Sequence, residues 1–387
     1  MPYPLSDIQG EMHRVIRDFA HNELMPGASE RDKSGKFPAE LLRRLGELDA
    51  MGITVPEVYG GLGLDTQTQL LAIEEVAYAD AALASIYTAH FLALEVLVPY
   101  ASEAQKVMFL PPMAKGAALG AFALTEPDSG SDIGGMSTVA KRDGAEWVIS
   151  GSKTYISNAA EADVIVLFAK TEPAAGFKGI SAFIVERGAP GISFSEPQDK
   201  CGIRSASTYT VYLDELRVGD DLVVGELGAG GKMALSALNR ARIDIAAMAN
   251  GVAMRALQLA EEFATARVQF KQKIRDFQAI QLMLGEMDAQ LEVARLTAWW
   301  AAAIKDSAAD VRREGSIAKW IATENCCAVV DKALQVHGGA GFMRESEIER
   351  LYRDSRVLRI FEGTSQIQLI TVAGTLASTF DRTGVVV

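Results

Sequence analysis

The sequence predicts a mainly α protein with a β middle domain. An N-terminal α-helical domain is expected over residues 1–120, an antiparallel β-barrel domain over 121–228 and a C-terminal four-helix bundle domain over 229–387. Three observations predict this. Apolar residues recur with the helical period in the first and last blocks. In the middle block the period changes to two. A chain of 387 residues also exceeds what a single core usually supports.

In the first block, "SDIQGEMHRVIRDFAHNELMP" offers Ser6 and Asp7 as caps. It sets Ile8, Met12, Val15, Ile16 and Phe19 on one face and is expected to stop at Pro26. "PAELLRRLGELDAMG" and "TQTQLLAIEEVAYADAALASIYTAHFLALEVLVPYA" repeat the helical period, with the turn-rich "PEVYGGLGLD" between them. In the middle block, "AEWVISGSKTYIS", "ADVIVLFAK", "GISAFIVE" and "STYTVYLDELRV" are rich in β-branched and aromatic residues. Asp143-Gly144 is a hairpin-turn signal. Consecutive strands without intervening helices predict an antiparallel barrel or sandwich. In the last block, Phe277, Ile280, Leu284, Met287, Leu291 and Ala294 draw one apolar stripe, and three further long helical segments complete a bundle.

Composition narrows the function classes. With 49% hydrophobic and 23% charged residues the chain reads as an ordinary soluble globular protein. A net charge of -12 argues against a nucleic-acid surface. Cys201, Cys326 and Cys327 form no disulfide framework, so a reducing, cytoplasmic setting is expected. The opening "MPYPLSDIQGEMHRVIRDFA" turns charged before any apolar run forms, so no secretory signal is expected. No window is expected to be apolar for long enough to span a membrane. The histidines, His13, His21, His90 and His337, lack metal-ligand spacing, and no metal is expected. "YGGLGLD" opens no βαβ unit, and "GELGAGGKM" has Met233 where a phosphate loop needs Ser or Thr. No Gly-x-Ser-x-Gly nucleophile elbow occurs.

Two stretches remain. "FALTEPDSGSDIGG", Phe122 to Gly135, lies where the helical block meets the strands, and it offers hydroxyls with Gly130 permitting close backbone approach. "LRIFEGTSQIQ", Leu358 to Gln368, places one carboxylate, Glu362, between apolar residues and a flexible turn. Such a Glu is either an exposed cap or a buried group with a raised pKa.

These stretches, together with "QVHGGAGFMRESEIERLYRD", resemble the two signatures of the acyl-CoA dehydrogenase family. The resemblance covers nearly the whole chain and extends to the α–β–α layout. It implies a homotetramer with one FAD per subunit. Glu362 matches the family's base, which takes the α-proton of an acyl-CoA thioester while the β-hydrogen leaves as hydride. Some members carry the base on the first bundle helix instead, but that slot in "LNRARIDIA" is Ala241, which takes no proton. Gly363 would leave room for the thioester, and the Glu362 backbone N–H would donate to its carbonyl.

The resemblance also implies flavin contacts. Phe122, Leu124, Thr125, Gly130 and Ser131 match the loop lining the isoalloxazine. Tyr155, Ile156 and Ser157 match the packing segment, where many relatives have Trp at Tyr155. Arg267, Phe270 and Gln278 match positions that reach a neighbouring subunit's FAD, although Lys271 stands where Gly is frequent. Gln335, Val336, Gly338 and Gly339 match a loop near the adenine side of a neighbour's cofactor, and Thr364 and Gln366 match contacts beyond the base. For CoA, Ser131, Asn239, Arg240 and Arg242 are matched, with Arg242 suited to phosphate. Tyr87, Ala89, His90 and Leu94 are candidates for the acyl-pocket floor.

The implied reaction makes trans-2-enoyl-CoA, on short straight or branched acyl groups, with an electron-transferring flavoprotein as acceptor. An acyl-CoA oxidase or flavin monooxygenase of the same fold is the alternative. A non-catalytic acyl-CoA or flavin-binding scaffold is the second alternative.

Overall fold

The computed structural model describes residues 4–308 and 310–383. Helix α1, Asp7–Phe19, opens on a reciprocal cap: the Gln9 N–H donates to Ser6 Oγ (3.3 Å) and the Ser6 N–H to Gln9 Oε1 (3.0 Å). It buries Gln9, Ile16 and Phe19, whereas Ile8, placed on the apolar face by its spacing, is exposed. The chain does not stop at Pro26. It continues through a π turn, Ala20–Leu24, and a 3-10 turn, Met25–Gly27, into α2, Ala28–Ser34. Pro26 is tolerated because it falls in the first turn of a new helical segment, where its missing N–H is not needed.

Helices α3, Ala39–Glu47, α4, Thr66–Ala79, α5, Ala81–Tyr100, and α6, Glu103–Ala114, complete the first block. The long pattern over 66–101 breaks at Asp80, whose extended backbone ends α4. Its carboxylate then accepts from the Ala82 and Leu83 N–H groups to cap α5. With a mean hydropathy of 1.7, α5 is long and apolar enough to cross a membrane, which corrects the expectation from sequence. It is instead a core helix, buried along most of its length.

The strands are β1, Gly120–Ala123, β2, Val139–Asp143, β3, Glu146–Ser157, β4, Val164–Lys170, β5, Ile180–Glu186, β6, Ile192–Phe194, β7, Thr208–Gly219, and β8, Val223–Val224. Asp143-Gly144 turns β2 into β3 as expected, with Gly144 at φ 63°. The antiparallel barrel is not what forms. The order β6-β7-β3-β2-β4-β5-β8 does not close on itself, and the sheet is mixed. β1 pairs with β4 in parallel, and β2 meets β4 in parallel at Val139 and Lys170. The physical reason is that β1 reaches the sheet from the helical block and packs on α5, so no hairpin dictates its direction.

The last block contains α7, Gly230–Ala266, a short hairpin of β9, Val268–Gln269, and β10, Gln272–Lys273, then α8, Gln278–Lys305, and α9, Arg312–His337. A shorter helix, α10, Glu347–Leu358, precedes α11, Ser365–Thr383. α7 packs on α8 and α9, and α9 packs on α8, α10 and α11. Of the apolar stripe on α8, Met287, Leu291 and Ala294 are buried.

Both helical blocks share one hydrophobic core running through α4, α5, α7, α8 and α9, while a smaller core fills one side of the sheet. Buried polar bonds pin the blocks together. Gln69 on α4 donates to Asp244 on α7 (2.9 Å), and Asn158 in the turn after β3 donates to the Ile86 carbonyl on α5 (3.0 Å). α4 and α7 pack tightly at Gly251, where a Cβ would overlap the Glu74 carbonyl and press on Ala77. Gly251→Val is therefore expected to destabilise the protein by about 1–3 kcal/mol through forced separation of the two helices. Urea unfolding measures it, and an unchanged midpoint would refute this account of the seam.

Candidate active site

Glu362 lies in the turn between α10 and α11, with its backbone in the left-handed region at φ 54° and Gly363 following at φ 93°. A non-glycine residue held there costs energy, so surrounding contacts must impose the conformation. Those contacts are present. Lys319, on α9, donates from Nζ to the carbonyls of Phe361 (2.8 Å) and Gly363, and Gln368 Nε2 donates to the carbonyls of Glu362 (3.2 Å) and Gly363 (2.8 Å). A Cβ at Gly363 would crowd Gln368 Nε2, so glycine is needed for space as well as for φ.

The carboxyl itself is poorly served. Oε2 of Glu362 is buried without a hydrogen-bond partner. Burial pushes its pKa up to about 7, against the lowering pull of Lys319 and Arg242, while Asp244 adds to the rise. The neighbouring cations show the reverse effect. Burial lowers Lys319 to about 7, partly offset by Glu362, and Arg242 to about 10, also offset by Glu362. Glu362 is the buried group of the two sequence alternatives, and the nearby Arg359 donates to Glu324 (2.8 Å).

The residues expected at the CoA have other occupations. Buried Arg242 donates to Asn239 Oδ1 (2.7 Å) and to Ser316 Oγ (2.9 Å), turned inward toward the Glu362 carboxyl. Arg240 is held by Glu95 (2.7 Å). Tyr87 and His90 are buried struts: the Tyr87 hydroxyl donates to the Ala50 carbonyl, and His90 Nδ1 accepts from the Gly120 N–H (3.0 Å). Burial lowers the His90 pKa to about 4, which fits that neutral accepting role.

This geometry can be set beside known proteins. Models of the acyl-CoA dehydrogenase N-terminal, middle and C-terminal domains match residues 6–117, 121–216 and 228–377. The chain belongs to the acyl-CoA dehydrogenase family. It is 40% identical to the mitochondrial short-chain specific acyl-CoA dehydrogenase of Bos taurus over 370 residues, which is 95% of this chain and 90% of that protein. It is 38% identical to the acryloyl-CoA reductase (NADH) of Anaerotignum propionicum, covering 96% of this chain and 95% of that protein. Its fold matches butyryl-CoA dehydrogenase from Megasphaera elsdenii with a TM-score of 0.95 and 36% identity, over 97% of this chain and all of that one. This acyl-CoA dehydrogenase family member is thus an oxidoreductase acting on CH–CH bonds, with FAD as its cofactor.

The structure gathers one group of the flavin residues and separates another. Thr154 on β3 donates its N–H to the Thr125 carbonyl (2.8 Å), which brings the 124–131 loop beside Tyr155 and Ser157. Tyr155 stands at φ 59° and is 69% exposed, while Gly130 and Ser131 are exposed in the loop. Phe122 packs at a tilt on Phe168, Leu124 is buried, and Ile156 points into the sheet core. An outward aromatic beside an open polar loop fits a planar flavin. Thr364 Oγ1 accepts from the Ile367 N–H (3.4 Å) at the start of α11, next to exposed Gln366.

Arg267 lies 25 residues beyond Arg242 along α7, about 37 Å at helical rise. Exposed Phe270 and Gln278 lie beyond Arg267 at that end, and Lys271 shares the positive-φ turn of the β9–β10 hairpin with Phe270 (φ 65° and 50°). Gln335 is exposed and Val336 buried at the end of α9, and Gly338 and Gly339 are exposed just past it. They lie 16 or more residues from Lys319, about 24 Å along the chain axis. These residues do not meet the Glu362 cluster in one chain.

Sequence reasoning missed Lys319, Ser316 and Gln368. Its missed signal was polar residues on a core stripe: Ser316, Lys319, Thr323, Cys326 and Val330 follow the helical period and are all buried. It also missed the Glu126–Lys153 pair (2.7 Å), fully buried under the flavin loop.

The raised Glu362 pKa carries a stability consequence. A carboxyl at ~4.3 when unfolded and about 7 when folded favours folding most below pH 4, and that contribution is lost as pH rises from ~4.3 through 7, above which the loss is complete. Glu362→Gln stays neutral throughout. Its stability relative to the unsubstituted protein should be near equal at pH 4 and greater by roughly 3–4 kcal/mol at pH 8. Urea unfolding at both pH values reads the difference, and a variant less stable at pH 8 contradicts the assignment.

Proposed function

We propose that this chain oxidises an acyl-CoA thioester to its trans-2-enoyl-CoA, with Glu362 as the base. The observation that carries the proposal is the buried, unpartnered Oε2 of Glu362, with its pKa raised to about 7. A carboxylate in water is a weak base toward carbon, and one raised to the working pH is far better matched. Glu362 takes the α-proton onto its carboxyl. Its backbone N–H donates to the thioester carbonyl and stabilises the charge that develops there. Arg242 and Lys319 face the carboxylate and keep its ionised form within reach despite burial. Bound FAD, held by the 124–131 loop, Tyr155 and Ser157, supplies the acceptor for the β-hydride.

Short acyl groups, straight or branched, are the proposed substrates. Tyr87 and His90, candidates for the pocket floor, are bulky and fully buried. The 40% identity to a short-chain specific enzyme points the same way. Arg267, Phe270, Gln278 and the 335–339 segment are proposed to serve a neighbouring subunit's cofactor in a homotetramer, with α7, α8, α9 and α11 forming the bundle between subunits. An electron-transferring flavoprotein is the proposed acceptor, in a cytoplasmic setting.

The similarity to acryloyl-CoA reductase favours a second reading, in which the reaction runs toward the saturated thioester and Glu362 returns the proton. One anaerobic experiment tests both. Short acyl-CoAs should bleach the flavin of the purified holoprotein, and Glu362→Gln should slow bleaching by roughly 10²–10⁴-fold. Reoxidation of the reduced protein by a short 2-enoyl-CoA, with no bleaching by the saturated thioester, would select the reductase direction. A Glu362→Gln protein that bleaches at the normal rate would overturn the assignment of the base.

A further inference from the structure

Two buried side chains hold the turn that carries Glu362. Lys319 and Gln368 are both fully buried. Between them they occupy three successive carbonyls, those of Phe361, Glu362 and Gly363. An ammonium is a costly choice for a core position of α9, where an apolar side chain of similar length would fill the space without dehydration cost. What the ammonium adds is bonding to two carbonyls on either side of Glu362 and a positive charge facing its carboxyl.

We propose that Lys319 is a positioning residue for the base: with Gln368 it clamps the 361–363 carbonyls, holds Glu362 in its left-handed conformation, and supplies positive charge against which the carboxylate forms. This rests on the reading of Glu362 as the base. The clamp acts through geometry first. Without it, the turn keeps the Ser365 N–H bond to the Arg359 carbonyl (3.1 Å), but no side chain holds the 361–363 carbonyls, and a glutamate at φ 54° loses the contacts that fix its direction. A base displaced by a fraction of a bond length loses much of its rate advantage.

The charges around the pair come from two helices. Arg242 and Asp244 act on Glu362 electrostatically from α7, with Asp244 bonded to Gln69 of α4, and Lys319 acts on it from α9, where Arg242 and Glu324 also act on Lys319. Arg242 stays bound to Asn239 and Ser316 when Lys319 is replaced, so the carboxylate keeps one cation. Loss of Lys319 therefore shifts the ionisation of Glu362 upward and does not abolish it.

The test uses the holoprotein with Lys319→Met, which removes the donors and the charge, and Lys319→Gln, which keeps a donor without charge. Hydrogen exchange of the peptide spanning residues 359–366 reads the clamp. Infrared difference spectra against Glu362→Gln read the pH at which the carboxyl ionises. Lys319→Met should exchange at least tenfold faster in that peptide, with the α7 peptides unchanged, and its carboxyl should ionise above the starting value of about 7. Lys319→Gln should recover part of the exchange protection while leaving the ionisation raised, and it also decides the question if the Met variant does not accumulate. Bleaching at pH 7 should fall at least tenfold in both variants, with the rate recovering as pH rises. Wild-type exchange and wild-type ionisation in the variants would overturn the proposal. If the unsubstituted protein is bleached by no thioester, the functional reading fails, whereas exchange and infrared spectra need no substrate and still decide the clamp.

Discussion

The structure turns on the dehydration of one carboxylate. In the role proposed for it, Glu362 would have to be more basic than a glutamate in water, and removal from water raises its pKa. Burial alone would keep the group neutral and useless as a base. Lys319 and Arg242 oppose it, and the balance leaves the pKa at about 7. The cations bear the same cost, with Lys319 lowered to about 7 and Arg242 to about 10. The cluster is better described as three buried charges in mutual tension than as an ion pair with a spectator.

That tension sets requirements on the surrounding packing. Arg242 comes from α7, Lys319 from α9 and Gln368 from α11, so these helices must keep a fixed relation to within a hydrogen-bond length. α7 is fixed from the other side by the first helical block: Gln69 on α4 bonds Asp244, and Glu95 on α5 takes both Arg240 and Lys305. Burial raises Asp244 to about 6, so this acid, too, is poised between forms. The shared core of the two helical blocks is thus the frame that allows charged groups to be placed at the base without water entering.

Much of this was legible in the chain. The α–β–α order and the Asp143-Gly144 turn follow from local pattern, since period and turn chemistry are local properties, whereas local pattern only singled out Glu362 and the family resemblance gave it a role. The mixed sheet was not legible, because the direction of β1 depends on its packing against α5. Ile8 was misplaced because Gln9, bonded to Asp65 (3.0 Å), takes the inward position beside it. Arg242 was preferred over Arg240 as a phosphate ligand, yet Arg242 turns to Asn239 and Ser316 and Arg240 to Glu95. Lys319 and Gln368 were missed because a polar residue on a core stripe reads as a break in the pattern until the backbone carbonyls it serves are known.

The length of α7 gives these observations a common consequence. At 1.5 Å per residue its 37 residues extend about 55 Å, so the helix that holds Arg242 beside the base carries Arg267 far beyond the reach of one cofactor ring. The far end is not dressed for water. Phe270 is 88% exposed and Val268 53%, on a hairpin whose tip holds Phe270 and Lys271 in left-handed conformations. An aromatic displayed at a strained tip is better explained by a surface that covers it than by solvent. Residues so far along α7 from Arg242, and exposed at its end, are placed as they would be if a second copy of the chain presented its cofactor to them. The same rigid helix would then tie the alignment of one subunit's base to the cofactor contacts of its neighbour.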